Sequence, residues 1–327
     1  MAIGHLLKLF YICSMSGLHI IWFRQDLRVH DNAALRAASQ AAERDGGKVM
    51  ALFVMPPAMD AAAIGSDAEA TFLFESVRDL QAALAQRGAV LHLRRGEVTS
   101  VLSDMHRAHQ VMSLHLHDTW MEDANLRGVE AWSLRAGIPL RLHKQFSPYQ
   151  NPIESGSWQT AWERFMARPR HEAPDMIATA NVGIGQWPRA STAGSNDIEG
   201  AAPGGRKPAI QILRAFLGAG QAGSQVALSS VEAVEALKPH LKLGAVSPRE
   251  VWQAAVGAHQ QALKAGLDIR AASIASFLQL LPALFRPQSK QAGSNGVRRR
   301  ASNAPSAVEA GQQLSLGLGQ SVRSNDG

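Results

Sequence analysis

The chain has 327 residues, 46% apolar and 18% charged, with a formal net charge of +6. That length suggests about two domains at roughly 150 residues each, and no apolar run approaches the ~20 residues of a membrane span, which excludes a membrane-spanning protein. The single cysteine, Cys13, excludes an internal disulfide framework and a CxxC metal site, and makes the cytoplasm the default compartment.

Residues 1–17 read as an N-terminal extension. The opening MAIGHLLKLFYICS is apolar with one lysine, but its run is short and no A-x-A cleavage site follows. Met15 stands just ahead of the first strand signal and reads as the natural start. LHIIWF (18–23) predicts a strand buried on both faces. Asp31 or Asn32 then caps a helix from Ala33 to Arg44, ended by Gly46-Gly47. KVMALFVM (48–55) is a second strand, stopped by Pro56-Pro57, and residues 67–88 form a long helix with Phe72, Leu73, Val77, Leu80 and Leu84 on its apolar face. The cycle repeats as strand 89–95, helix 97–109, strand 111–118, helix 122–137 and strand 138–144. Five strands alternating with four helices predict an α/β fold over 18–145, a doubly wound five-stranded parallel sheet. Such sheets bind ligands at the carboxyl ends of their strands. Neither GxGxxG nor GxxxxGK[ST] is present, so a dinucleotide fingerprint and a P-loop are not supported.

Residues 146–207 predict an interdomain linker with one helix. Trp158, Trp162 and Phe165 share a helical face, as a packing stripe or as a base-stacking platform. From 208 to 281 the pattern is an incomplete all-α domain. Ser247, Pro248 and Glu250 read as N-cap, N1 and N3 of a capping box. Residues 282–327 lack apolar periodicity and read as a disordered basic tail. Arg286, Lys290, Arg298, Arg299, Arg300 and Arg323 against Glu309 and Asp326 place +4 of the charge there, leaving +2 on the body. The charge is therefore weak support for nucleic-acid binding by the folded part. Arg298-Arg299-Arg300 is either solvated tail or a phosphate contact. His115 and His117 alternate on one strand, with Asp118 adjacent, and invite a metal reading, but no further ligand lies at useful spacing.

IIWFRQDLRVHDNAAL (20–35) closely resembles the opening pattern of the DNA photolyase/cryptochrome family, WFRxDLRxxDNxAL. Trp22, Phe23, Arg24, Asp26, Leu27, Arg28, Asp31 and Asn32 match at the same spacing. LKPHLKLGAVSPREVW (237–252) resembles LSPyLxxGxxSxRxV at the start of the family's flavin domain, and WERFMARP (162–169) is similar to bacterial members. The resemblance spans about residues 18 to 280. It implies a bacterial deoxyribodipyrimidine photolyase-like flavoprotein. Blue light would drive an electron from FAD, held in a partial helical domain (208–281), to pyrimidine dimers in DNA. That is DNA repair by a carbon–carbon lyase. It also implies an antenna folate or deazaflavin on the α/β domain, damaged DNA as partner, no membrane and a monomer. On this reading Arg24, Asp26, Arg28, Asp31 and Asn32 line the antenna side. Ser229, Ser230, Lys238 and Arg249 face the FAD. No catalytic or metal residue is assigned. Arg24, Asp26 and Arg28 have a second reading as a salt-bridge and capping network that holds the strand-to-helix turn.

The sequence also departs from the family pattern. Ser224 stands where a phosphate-holding tyrosine is expected, and residues 234–238 replace Thr-Ser-x-Leu-Ser. Val234 and Lys238 remove two hydroxyls, and Glu235 puts a carboxylate where a phosphate would sit. Lys238 offers a point charge without the same geometry. Past residue 280 the family's flavin domain continues much further, so a truncation or frameshift there is expected. The alternative functions are a non-catalytic α/β binding module for a pterin, flavin or nucleotide chromophore, and a decayed gene product.

Overall fold

The computed structural model describes residues 17–55, 67–118, 124–145, 158–185, 203–218 and 228–285. The N-terminal extension with Cys13 and Met15, residues 186–202 of the expected linker, Ser224, and the tail with its arginine triplet lie outside the described residues.

The first half alternates strand and helix without exception: β1 (Leu18–Phe23), α1 (Ala33–Asp45), β2 (Lys48–Met55), α2 (Asp67–Ala85), β3 (Leu91–Arg95), α3 (Val98–Ala108), β4 (Val111–His117), α4 (Ala124–Ala136) and β5 (Leu140–His143). The strands lie in the order β3-β2-β1-β4-β5 and every pair is parallel. Because β1 is central, the chain winds outward first one way and then the other, which is the doubly wound fold expected.

All six residues of β1 are buried, so its side chains serve two cores. Ile21 and Phe23 pack with Leu35 and Ala38 of α1 and with Leu80 and Leu84 of α2. Ile20 and Trp22 pack on the other face with Leu102 of α3 and Trp132 of α4. Each such burial contributes roughly 1.5–3 kcal/mol, and covering both faces explains why β1 is a continuous apolar run. Of the two candidate caps, Asn32 is used: its side chain accepts from Leu35 N at 2.8 Å, and Gly46 closes α1 at φ 72°.

The second half supplies α5 (Trp158–Met166), α6 (Arg206–Gly218), α7 (Ser230–Lys242), α8 (Pro248–Lys264), α9 (Asp268–Leu280) and a 3-10 turn (Leu281–Phe285). A third core joins Trp162, Leu213, Leu237, Val251, Ile274 and Phe277. Trp162 is fully buried, stacked at 5.5 Å on Trp158 and edge-on to Trp252 at 5.7 Å. The aromatic stripe therefore packs, and Trp162 offers no face to a base. Among the described residues, Asp268–Phe285 is long and apolar enough to cross a membrane by length and composition, a stretch the sequence reading passed over. Its Ile274, Phe277, Leu281 and Phe285 lie in this third core.

The expected capping box at α8 forms only in part. Ser247 is the N-cap and accepts from Arg249 N. Glu250 does not close the box: Arg206, at the start of α6, takes both of its oxygens at 2.6 Å. A bidentate arginine pair outcompetes a single backbone contact. The start of α6 in turn rests on α2. Glu75, Ser76 and Asp79 accept from the backbone N–H groups of Gly204, Gly205 and Arg206, donors that a helix start leaves free. A Cβ on Gly204 would sit 2.1 Å from the Phe72 carbonyl oxygen, so only glycine permits this approach. Part of the expected linker is also pinned: Val49 N donates to Ala178 O, and Leu93 N to Ile184 O.

Candidate functional site

The chain leaves the carboxyl end of β1 through residues 24–32, and the charged residues of that turn are drawn inward. Asp26 is buried and accepts from Arg24 N at 2.8 Å and from His117 Nδ1, at the end of β4, at 2.7 Å. Burial alone would push Asp26 up, but these hydrogen bonds and the His117 charge hold it below the usual carboxylate range. Burial pushes His117 down despite Asp26. The Arg24 guanidinium donates to the His117 carbonyl at 2.5 Å and lies over the Trp22 ring at 4.7 Å. Arg28, also buried, donates to Gly244 O, Asp31 O and Gln145 Oε1. Asp31 stands at φ 49°. Its carboxylate receives Arg249 through two donors, the Ser247 hydroxyl and His171 N. Asn32 also donates to Arg28 O at 2.9 Å. The structure thus brings Asp26, Arg28, Asp31, Asn32 and Arg249 together as one polar network that fastens the turn to the helical half. Arg24 and Asp118 stand at the strand-end rim of this network, where burial raises Asp118 to about 6.

A second polar array includes His115, which the sequence singled out only as a possible metal ligand. His19 on β1 pairs in register with Ser113 on β4, just past a register shift after Leu18. His19 Nδ1 lies 2.7 Å from Ser113 Oγ, which lies 2.8 Å from His115 Nε2. His115 Nδ1 reaches His143 Nε2 on β5 at 3.2 Å, and at the other end His19 Nε2 meets Asp45 Oδ2 at 2.9 Å. Burial and the neighbouring His143 and His19 hold His115 down to about 3; burial and His117 hold His143 down to about 4. Among the described residues no group of three or more histidine, cysteine or carboxylate side chains is placed to hold a metal ion. The array shows in the sequence only as histidines at alternate positions. Its connection depends on cross-strand register, which no local pattern encodes.

The DNA photolyase family model matches residues 19–147, the whole α/β sheet and the network at its edge. Over this domain the chain is similar to the DNA photolyase family. It is 27% identical over 286 residues to the deoxyribodipyrimidine photo-lyase of Escherichia coli, covering 76% of this chain and 56% of that protein. It therefore spans little more than half the length of this photo-lyase. An uncharacterized 31.6 kDa protein of a Synechococcus species is 26% identical over 267 residues, covering 75% of this chain and 91% of that one. The fold is similar to that of a Synechocystis cryptochrome, with a TM-score of 0.60 at 17% identity over 82% of this chain and 59% of the other.

The resemblance read in the sequence puts FAD in the helical half, so the fit of the residues present matters. Ser229 is the N-cap of α7: its hydroxyl accepts from Glu232 N, and Glu232 reaches back to Ser229 N at 2.8 Å, a full capping box. The hydroxyl of Ser230 donates to Ser273 O at 2.8 Å. Lys238 pairs with Glu235 at 3.0 Å on the exposed face of α7. Arg249 is held by Asp31. Val234 and Leu237 point into the third core. Residues 234–238 are thus the middle of a packed helix. Ser229 and Ser230 are committed to a helix cap and to Ser273, Arg249 is held by Asp31, and Lys238 lies on the exposed face of α7, so the four side chains the resemblance assigns to FAD are poorly placed to grip a flavin pyrophosphate. The S-x-x-E signal of the capping box was present in the sequence at Ser229 and Glu232.

Proposed function

We propose that this chain is a non-catalytic binding module of the photolyase/cryptochrome family. Its α/β domain holds a pterin, flavin or nucleotide chromophore at the carboxyl ends of β1 and β4, beside Arg24 and Asp118. It does not itself reverse pyrimidine dimers. The observation that carries this reading is the commitment of Ser229, Ser230, Lys238 and Arg249 to helix caps and ion pairs. A cytoplasmic monomer goes with it.

The second reading is light-driven, FAD-dependent repair of damaged DNA, a carbon–carbon lyase reaction. The long match to the Escherichia coli photo-lyase favours it. One experiment separates the two. Purified chain is incubated with FAD, FMN or a methenyl folate, desalted, and its visible spectrum recorded. UV-irradiated DNA is then exposed to blue light with each loaded sample. The first reading expects folate or FMN bands to be retained and dimers to persist. Retained FAD with light-dependent loss of dimers would establish the second.

A further inference from the structure

A cleft of about 780 Å³ opens beside the ends of α1 and β5, walled by α5 and the chain that follows it. Its size suits a nucleotide-sized ligand, but its walls are charged: Arg36, Lys144, Arg168 and Arg170 line it against one carboxylate of its own, Glu172. That carboxylate compensates little. Glu172 is 91% exposed and reaches Arg36 only at 4.0 Å. Arg170 approaches Glu250 at 3.8 Å, but Arg206 already holds that carboxylate with two short bonds. The apolar lining is small, namely Ala33, Phe165 and Pro169, and the Phe165 ring carries the Arg168 and Arg249 guanidinium groups at 5.8 and 5.2 Å. An apolar ring system finds little surface here.

The cleft ends in a recess of about 30 Å³ that shares Ala33, Lys144, Phe165, His171 and Arg249 with it. Three residues that line the recess each carry a buried polar atom without a hydrogen-bond partner among the described residues: Arg28 Nε, Gln145 Nε2 and Gln25 Oε1. Arg28 is 4% exposed, so its free N–H is a buried donor with nothing to receive it, a costly state unless the recess is filled. The recess admits a water molecule or a single oxygen atom of a larger group. Arg28 Nε and Gln145 Nε2 both donate to an oxygen placed there, and Gln25 Oε1 takes a hydrogen from a protonated phosphate oxygen or a bridging water.

We propose that this cleft binds a small anion bearing several phosphate groups, with one terminal oxygen in the recess on Arg28 Nε and Gln145 Nε2 and the remaining charge facing Lys144, Arg168 and Arg170. Guanidinium groups favour phosphate because their planar donors match two oxygens at once. The recess borders the carboxyl ends of β1 and β4 through Gln25 and His117, but anion binding here does not require a bound chromophore.

Titration calorimetry of the full chain at low salt, with inorganic phosphate, tripolyphosphate and a nucleoside triphosphate, tests it. Tripolyphosphate is expected to bind saturably and at least about tenfold more tightly than phosphate. Lys144→Gln with Arg170→Gln is expected to weaken binding about tenfold or more; Arg170 reaches Glu250 only at 3.8 Å, and Arg206 keeps that carboxylate paired in the variant. Gln145→Glu, which keeps an oxygen for Arg28 but fills the recess with negative charge, is expected to abolish binding while leaving the melting temperature near that of the parent. Equal affinity for tripolyphosphate and the triphosphate would mean that the phosphates alone are read; tighter triphosphate binding would add the nucleoside. Either supports the site. The proposal is overturned if no saturable binding occurs. It is equally overturned if Lys144→Gln/Arg170→Gln binds like the parent while Arg298→Gln/Arg299→Gln/Arg300→Gln does not, which would put the anion on the tail.

Discussion

Asp31 and Arg249 form a bidentate ion pair across 218 residues of sequence, both almost fully buried. It ties the turn after β1 to the first turn of α8. Removing one partner leaves the other charge buried and alone, which typically costs ~3–5 kcal/mol. Asp31→Ala also strains the backbone, since φ 49° is tolerated by Asp and Asn better than by Ala. Asp31→Asn keeps the conformation but loses the charge. Urea denaturation is expected to rank the variants parent, Asn, Ala in falling stability, with the Arg249→Met/Asp31→Asn double variant recovering part of the loss. Additive losses would mean that the pair contributes little.

Gly244 meets the same turn from the helical side. At φ 67°, its Cβ position lies 2.1 Å from the Gln25 carbonyl oxygen and 2.6 Å from Asp26 Cα. Those are backbone atoms and cannot swing aside. Gly244→Ala is therefore expected to cost about 3 kcal/mol or more, read as a lowered urea midpoint. Gly257→Ala, within α8 with nothing near its Cβ, should be neutral or slightly stabilising. A small loss at Gly244 would show that the two halves slide easily.

Ser229→Ala separates a helix cap from a cofactor contact. As a cap, the hydroxyl contributes about 1 kcal/mol, so the variant should melt slightly earlier and retain any flavin as the parent does. Loss of flavin bands at unchanged melting temperature would return Ser229 to the phosphate-binding role its family position suggests.

Acid stability follows from the histidine array. His115 and His143 titrate near 3 and 4 when folded, against 6.5 when unfolded. Below pH 6.5 the unfolded chain takes up protons that the native array refuses. Stability therefore rises with pH between about 4 and 6.5, by at most ~1.4 kcal/mol per unit for each histidine kept fully neutral. Asp118 acts oppositely: raised from 3.8 to about 6, it holds a proton the unfolded chain has lost. Asp118→Asn should therefore steepen the acid loss of the parent, measured as melting temperature from pH 4.5 to 7, and Ser113→Ala should leave its sign unchanged. A flat profile would show that the histidines are hydrated.

The α/β half was legible because its signals are local: apolar runs for strands buried on both faces, Asn32 and Gly46 around α1, and a period of three to four residues along α2. The site was less legible, for physical reasons. Glu250 stands at the right offset for a capping box, yet Arg206, 44 residues away, takes it; a local rule lost to a tertiary partner. Ser229 and Glu232 form the box that local reading alone would have found, but family spacing drew attention to phosphate. The network at Asp26, Arg28 and Asp31 was readable as residue types, while its partners at His117, Gly244 and Arg249 come from elements far apart in the chain. The free donor on Arg28 shows only when every neighbour is placed.

The line from Asp45 through His19, Ser113 and His115 to His143 has one further property. Each of its neutral members can donate to only one side of it. When His19 carries one ring proton and gives it to Asp45, Ser113 must point its hydrogen at His19, His115 must hold its proton on Nε2, and His143 must hold its own on Nε2. When His19 carries two, every link reverses: Ser113 turns toward His115, which then holds its proton on Nδ1 and gives it to His143. The two ends of the line are thus coupled: the number of protons on His19, at the rim of α1, decides whether Nε2 of His143, at the end of β5, is the hydrogen-bond donor or the acceptor.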